Sequence, residues 1–170
     1  MLAIRVEVFA FAPIRRTPKI KNRIQKEDIF RYYGLGCRNV SKLFIPVGYD
    51  LNKFFDGIFE FKTVLQNNKY ANNYEYNRTV YLMGNVKLYD NNFLLLREEI
   101  SLHSPVAVLF YEYYKDDEAL IHRLKMDSGD LQCIVSSKMI PLAIPFGSTQ
   151  CPGLSDYADR VDTMKFLLGL

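Results

Sequence analysis

Residues 32–50 read YYGLGCRNVSKLFIPVGYD, and this stretch sets the start of the predicted fold. Two glycines, Gly34 and Gly36, stand just before Cys37. Shortly afterwards Ser41–Ile45 form a short run of the kind found in strands, which a proline ends. The order predicts a tight loop that carries a thiol and leads into a strand.

The composition is that of one packed globular protein. The chain has 170 residues, of which 49% are hydrophobic and 24% are charged. No stretch approaches the roughly 18 to 20 consecutive apolar residues that a membrane span needs. The first residues also lack the ordered regions of a secretory signal peptide. We therefore expect a soluble, cytoplasmic protein with no membrane partner.

The cysteines and histidines argue against a disulfide framework and a metal site. The chain has three cysteines, Cys37, Cys133 and Cys151, and none stands in a C-x-x-C spacing. His103 and His122 are the only imidazoles that a metal site could use. Any chemistry in this chain is therefore expected to use a reduced thiol.

Positive charge is concentrated at the start of the chain. Residues 1–26 hold seven basic residues and one acidic residue, which gives +6, whereas residues 27–170 carry a net charge of −3. A basic segment is typical of contact with nucleic acid or acidic lipid. The stretch RRTPKIKNRIQK, residues 15–26, has no aromatic side chain to stack on a base and no clear amphipathic face. We therefore predict an irregular basic arm over residues 1–26, a separate domain over residues 27–170, and no nucleic-acid partner.

Hydrophobic periodicity alternates along the chain between strand and helix patterns. The predicted strands are Ile4–Phe11, Ser41–Ile45, Phe93–Leu96, Pro105–Tyr113 and Leu131–Ser136. The predicted helices run from the N-cap Asp50 to about Gln66, from Tyr74 to about Met83 after a polar break at Asn67–Asn73, from Asp116 to Met126, and onward from the N-cap Ser155. The last helix is expected to bury Tyr157, Val161, Met164, Phe166, Leu167 and Leu168. This alternation predicts an α/β fold with a mixed sheet covered by helices.

The three thiols differ in their surroundings. Cys133 lies within an apolar run and is interpreted as a small buried hydrophobe. Cys37 differs because its glycines permit close approach of a substrate, while Arg38 and Lys42 are expected to favour the thiolate. This local evidence leaves two interpretations of Cys37 equally open, a nucleophile and an inert thiol. Neither histidine is near Cys37 in sequence, so a Cys/His hydrolase is permitted but poorly supported.

Three segments taken together resemble the acyl-CoA reductases of the LuxC type, relatives of the aldehyde dehydrogenase superfamily. GLGCRNVSKLFIP, residues 34–46, is similar to the nucleophile segment, in which a G-x-C turn precedes a strand. NFLLLREEISLHSPVAVLFYEYY, residues 92–114, is similar to the family's apolar strand, acidic turn and following strand. IPFGSTQCPGLSDYADRVDTMKFLLGL, residues 144–170, resembles its closing P-F-G loop and final helix. The resemblance covers about residues 27–170.

This resemblance implies the fold of the catalytic (thiol) domain of aldehyde dehydrogenases and a thioester mechanism. Cys37 would attack a fatty acyl-CoA, release coenzyme A and hold the acyl group, which NADPH or NADH then reduces to the aldehyde. Glu99, or its neighbour Glu98, corresponds to the acidic contact of the nicotinamide ribose, and Phe146 would line the cofactor or acyl pocket. The superfamily commonly dimerises through its catalytic part, which implies a homodimer by analogy.

The chain departs from the family in its first part. Family members carry a Rossmann-type nucleotide-binding domain before the nucleophile segment, whereas here the basic arm stands in that place. No G-x-G-x-x-G follows a predicted strand. We therefore expect a fragment that does not hold the nicotinamide cofactor stably and has little or no reductase turnover alone. The alternatives are a thiol acyltransferase or esterase, and a non-catalytic interaction module with an exposed apolar patch.

Overall fold

A seven-stranded sheet organises the described residues, which are 6–10, 27–36, 38–136, 140–141, 143–157 and 161–169 of the computed structural model. The strands in chain order are β1 (Val6–Ala10), β2 (Val40–Pro46), β3 (Leu88–Asp90), β4 (Leu95–Glu98), β5 (Val108–Tyr114), β6 (Leu131–Ser136) and β7 (Ala143–Ile144). Their order across the sheet is β3-β4-β5-β2-β1-β6-β7. Neighbouring strands are parallel, except that β3 runs antiparallel to β4.

Helices cover both faces of this sheet, as the sequence predicts for its fold class. They are α1 (Leu51–Ile58), a 3-10 helix (Phe59–Gln66), α2 (Asn68–Met83), α3 (Asp117–Met126) and α4 (Thr163–Leu168), and residues 27–30 add one helical turn. Across the described part of the chain, every helix is too short or too polar to cross a bilayer.

The central strand β2 shows why both faces must be covered. Leu43 and Ile45 pack in the larger core cluster together with side chains of α1 and α2. Phe44 points to the opposite face and packs with Leu120 and Leu124 of α3. A strand that is buried on both faces reads as a continuous apolar run, as residues 43–45 do.

Side-chain caps fix where the helices begin. Asp50 Oδ1 accepts a hydrogen bond from Asn52 N at 3.0 Å, which confirms the predicted N-cap. Asp116 was predicted as the first residue of its helix, and the structure makes it the N-cap of α3, because its Oδ1 accepts from Ala119 N at 2.7 Å. The predicted polar break at residues 67–73 is wrong. Asn67 Oδ1 accepts from Tyr70 N at 3.0 Å and caps α2, which therefore begins at once. The predicted helix to residue 66 is α-helical only as far as residue 58 and continues as the 3-10 helix.

The final helix was predicted wrongly in its start and in its burial. It begins at Thr163, where Asp162 Oδ1 accepts from Lys165 N at 3.1 Å, and not after Ser155. Its large apolar side chains Met164, Phe166 and Leu167 are 61–73% exposed. Spacings of three and four predict an apolar stripe, but burial of that stripe also needs a facing surface, and none of the residues of α4 is buried.

The start of the chain joins the sheet. β1 lies between β2 and β6, and Phe9 is in register with Leu43 on one side and Val135 on the other. The predicted strand Ile4–Phe11 is thus confirmed over residues 6–10, and the description of the arm as irregular is wrong there, because that backbone pairs with two strands. Residues 11–26 lie outside the described part, and the domain division at residue 26 stays a prediction.

Tyr70 gives a direct test of how α2 is fixed to the sheet. Its side chain is 1% exposed, and its hydroxyl donates to Phe93 O at 2.9 Å. Tyr70→Phe leaves that carbonyl without this donor, so we expect the free energy of unfolding in urea to fall by about 1 kcal/mol. The control Tyr76→Phe, at a position 68% exposed, should change it by less than about 0.5 kcal/mol. Equal losses in the two variants would contradict the role of the hydrogen bond.

Candidate functional site

The turn before β2 carries the candidate nucleophile. Cys37 itself lies outside the described residues, whereas Gly36 and Arg38 on either side of it are described. Upstream, Tyr33 and Gly34 have φ angles of 56° and 66°, in the left-handed region. Glycine adopts that region without the steric cost that a side chain brings, which explains the glycine at position 34.

A loop from the far end of the sequence packs against this turn. This closing loop comprises residues 145–151, which follow β7. Gln150 Nε2 donates to Arg38 O at 2.8 Å, and Arg38 Nη1 donates to Thr149 O at 3.5 Å. The partners are 112 and 111 residues apart in the chain. Two of the segments that carry the family resemblance, residues 34–46 and 144–170, therefore meet at one place.

Asp28 fixes the position of the closing loop. This carboxylate lies in the helical turn 27–30 and is 1% exposed. Its Oδ2 accepts from Gly147 N at 2.6 Å, and its Oδ1 accepts from Thr149 N at 3.2 Å and from Thr149 Oγ1 at 2.7 Å. Burial raises the pKa of the Asp28 carboxyl above its ordinary 3.8, although these hydrogen bonds act in the opposite direction. The sequence did not identify Asp28 as a site residue. The one feature that could have pointed to it is its position directly before two apolar residues.

A cavity of about 400 Å³ opens beside this contact. We call it the thiol cavity, because two cysteines line it together with polar and apolar groups: Arg38, Cys133, Pro145, Ser148, Cys151 and Tyr157. Cys133 is half-buried and packs against the core, as its interpretation as a small hydrophobe predicts, but it also faces this cavity. Cys151 is exposed, and its Sγ accepts a hydrogen bond from Arg31 Nη1 at 3.6 Å.

Lys42 was expected to favour the thiolate of Cys37, but the structure pairs its ammonium group with Glu112. Its side chain is fully buried, its Nζ lies 3.2 Å from Glu112 Oε2, and it donates to the main-chain oxygen of Glu99. Burial lowers the pKa of the Lys42 ammonium, and the nearby Glu112 carboxylate partly offsets this effect. Lys42 shares a strand face with Phe44, which packs toward α3, and its charge is neutralised there.

The two acidic candidates lie at the opposite end of the sheet from the turn. Glu98 is in register with Tyr111, which is in register with Leu43 of β2. Glu99, one residue further on, is therefore displaced from Val40 by about 13 Å along the strands and about 10 Å across them. Its Oε2 lies 2.8 Å from Arg97 Nη2, and its Oε1 accepts from Ile100 N at 3.0 Å. A contact of Glu99 with a cofactor stays a prediction.

Phe146 lies in the closing loop, half-buried against the larger core cluster. It is next to Gly147 but is not among the residues that line the thiol cavity. Phe146 thus lies in the loop whose residues Thr149 and Gln150 contact Arg38, whereas Glu99 lies away from that turn. Both histidines, His103 and His122, are exposed. Within the described ranges, no three His, Cys, Asp or Glu side chains are grouped to hold a metal ion.

Comparison with known proteins gives a partial likeness in fold. No protein-family model and no curated protein matches the chain. A solved structure of the Delta-pyrroline-5-carboxylate dehydrogenase from Mycobacterium tuberculosis is 14% identical, with a TM-score of 0.49 over 81% of this chain and 31% of that chain. The same dehydrogenase bound with NAD is also 14% identical, with a TM-score of 0.46 over 79% of this chain and 30% of that chain.

These neighbours belong to the aldehyde dehydrogenase family. The chain spans less than a third of their length. At this identity and TM-score, neither a family nor an activity follows for this chain.

Removal of the Asp28 carboxylate tests its structural role. Asp28→Ala leaves the two amides and the hydroxyl of residues 147 and 149 without their acceptor, so we expect the free energy of unfolding to fall by about 1–3 kcal/mol. Asp56→Ala, at an exposed position on α1, is the matched control and should change it by less than about 0.5 kcal/mol. Urea denaturation measures both, and an unchanged Asp28→Ala midpoint would contradict the anchoring role.

The raised pKa of Asp28 also predicts a pH dependence of stability. The pKa of the Asp28 carboxyl is higher in the folded state than the ordinary value of 3.8. The native state therefore binds more protons than the unfolded state at pH values between these two pKa values. The contribution of Asp28 to the free energy of unfolding therefore falls as pH rises through its folded pKa. Relative to the non-titrating variant Asp28→Asn, the wild type should lose stability from pH 4 to pH 7. A relative gain over this range would contradict the direction of the shift.

Proposed function

We propose that this chain is the C-terminal catalytic part of a fatty acyl-CoA reductase and that Cys37 accepts the acyl group. The resemblance of three segments supports the proposal, and one contact carries it: the closing loop lies against the residues that flank Cys37. Local sequence preferences do not require two segments more than a hundred residues apart to meet. Their meeting beside a cavity is what an acyl-accepting site needs.

In this proposal the Cys37 thiolate attacks the carbonyl carbon of the acyl-CoA. A new carbon–sulfur bond forms to the enzyme, the bond to the coenzyme A sulfur breaks, and coenzyme A leaves as a thiolate that takes a proton from solvent. Backbone N–H groups of the turn stabilise the oxyanion. The thiol cavity, with Ile144 and Pro145 in its wall, receives the acyl chain, and Asp28 holds the closing loop that forms that wall.

The reduction step is not part of the chemistry proposed for this chain alone. A nicotinamide cofactor supplies hydride when bound, and Glu99 and Phe146 are the residues proposed to contact it. Neither residue lines the thiol cavity, and the Glu99 carboxylate is paired with Arg97. The described residues thus do not fit a cofactor site built from this pair. Little or no reductase turnover alone, dimerisation through the catalytic part and a cytoplasmic location stay proposals from the resemblance.

A second candidate function is a non-catalytic interaction module. Its support is the exposed apolar surface of Met164, Phe166 and Leu167 on α4, together with the fully exposed Leu154 nearby in sequence. Large apolar side chains left exposed are typical of sites of protein association when they form one patch. In this alternative no thiol in the chain reacts with a thioester.

An acylation assay separates the two candidates. The full chain is incubated with a long-chain acyl-CoA, and intact mass and peptide mapping locate any adduct. We expect one acyl group on Cys37, no adduct in Cys37→Ala, and retention of the adduct in the matched controls Cys133→Ala and Cys151→Ala. Addition of NADPH should yield no aldehyde. A wild-type chain that stays unmodified would overturn the catalytic proposal and favour the interaction module.

A further inference from the structure

A second cavity, which we call the aromatic cavity, lies beside residues 30–33. It has a volume of about 460 Å³ and is lined by Glu27, Phe30, Arg31, Tyr33, Phe61 and Gln66, among others. None of its lining residues lines the thiol cavity. Its size is within the range of small-molecule sites, about 300–1,000 Å³.

Three of the nine residues that line this cavity are aromatic, Phe30, Tyr33 and Phe61. The ring of Phe61 stacks on that of Phe30, with centroids 5.5 Å apart and planes inclined by 22°. Tyr33 stands at the rim, 43% exposed, with its backbone in the left-handed region. A bulky residue rarely adopts that conformation, and such positions concentrate at ligand-binding sites. Exposed aromatic faces bind flat heterocycles, such as nucleobases, by stacking.

The polar groups of the cavity suit the rest of a nucleotide. Arg31 is the one cation among the residues that line it, and a guanidinium binds phosphate through paired hydrogen bonds. Glu27 supplies a hydrogen-bond acceptor for an exocyclic amino group, and the amide of Gln66 supplies both a donor and an acceptor. The aromatic, cationic and hydrogen-bonding side chains of the cavity are therefore of the kinds that bind a phosphorylated purine nucleoside.

Arg31 also joins this cavity to the candidate active site. Its Nη1 lies 3.6 Å from Cys151 Sγ, and Cys151 lines the thiol cavity. Arg31 thus lines one cavity and contacts a residue that lines the other, as a ligand with a nucleotide at one end and a thioester at the other would require. Coenzyme A thioesters have this construction.

We propose that the aromatic cavity binds the phosphorylated adenosine of a coenzyme A thioester, with the adenine against Tyr33 and Phe61 and a phosphate on Arg31. The pantetheine arm passes Arg31 toward the thiol cavity. This inference rests on the proposed function and deepens it, because it assigns the part of the chain that recognises the carrier of the acyl group.

Isothermal titration calorimetry on the full chain tests the site with coenzyme A, adenosine 3′,5′-bisphosphate, adenosine and NADPH. Coenzyme A and the bisphosphate should bind, and adenosine should bind at least about tenfold more weakly because it has no phosphate. Arg31→Ala and Tyr33→Asn should each weaken coenzyme A binding by about tenfold or more. Asparagine tolerates the left-handed backbone at position 33, so this variant removes the ring without new strain.

The controls Lys69→Ala and Tyr76→Asn remove a charge and a ring from exposed positions outside the cavity and should leave the affinity unchanged. Absence of coenzyme A binding, or equal losses in cavity and control variants, would overturn the inference. Binding of NADPH in place of coenzyme A, with the same dependence on Arg31, would assign the cavity to the cofactor and would also overturn it.

A thioester without a nucleotide separates this inference from the proposed function. If acyl-pantetheine acylates Cys37 while coenzyme A does not bind, the acyl-acceptor function stands and the nucleotide site is refuted. If coenzyme A binds through Arg31 and Tyr33 while no thioester acylates Cys37, the nucleotide site is supported and the acyl-acceptor function fails.

Discussion

The buried carboxylate of Asp28 is the contact on which the candidate site depends. Removal of a carboxylate from water costs free energy unless hydrogen bonds replace its hydration. Here three donors from Gly147 and Thr149 replace it, so the closing loop is tied to a helical turn about 120 residues earlier in the chain. This anchor holds the loop that places Pro145, Ser148 and Cys151 in the lining of the thiol cavity.

One short segment connects the fold to both cavities. Residues 27–36 bury Ile29 and Phe30 in the larger core cluster, which fixes the segment against the sheet. From that fixed backbone Asp28 reaches the closing loop, and Arg31 stands between the aromatic cavity and the thiol cavity. The proposed site therefore depends mainly on this one segment. It directly precedes Cys37 in the chain, it holds the closing loop through Asp28, and it carries the proposed nucleotide contact Arg31.

Features set by local sequence were predictable, and features set by distant contacts were not. The strand Leu131–Ser136 and the N-cap Asp50 follow from patterns within a few residues, and the structure confirms them. The short strands β3 and β7 have too few residues for a periodic signal and were missed. The apolar stripe of α4 was predicted, but its exposure depends on whether another surface faces it.

The same distinction holds for the site. Cys37 was chosen from its glycines and neighbours, whereas the approach of Cys133 and Cys151 to one cavity depends on contacts that span more than a hundred residues. Lys42 was misread because nearness in sequence to Cys37 does not fix the direction of a strand side chain.

The most direct test of the anchored loop is hydrogen exchange of the Gly147 and Thr149 amides. Both should exchange slowly in the wild type, because their N–H groups donate to a buried carboxylate, and rapidly in Asp28→Ala, while the amides of β6 keep their protection. Rapid exchange in the wild type, or equal protection in the variant, would contradict the account.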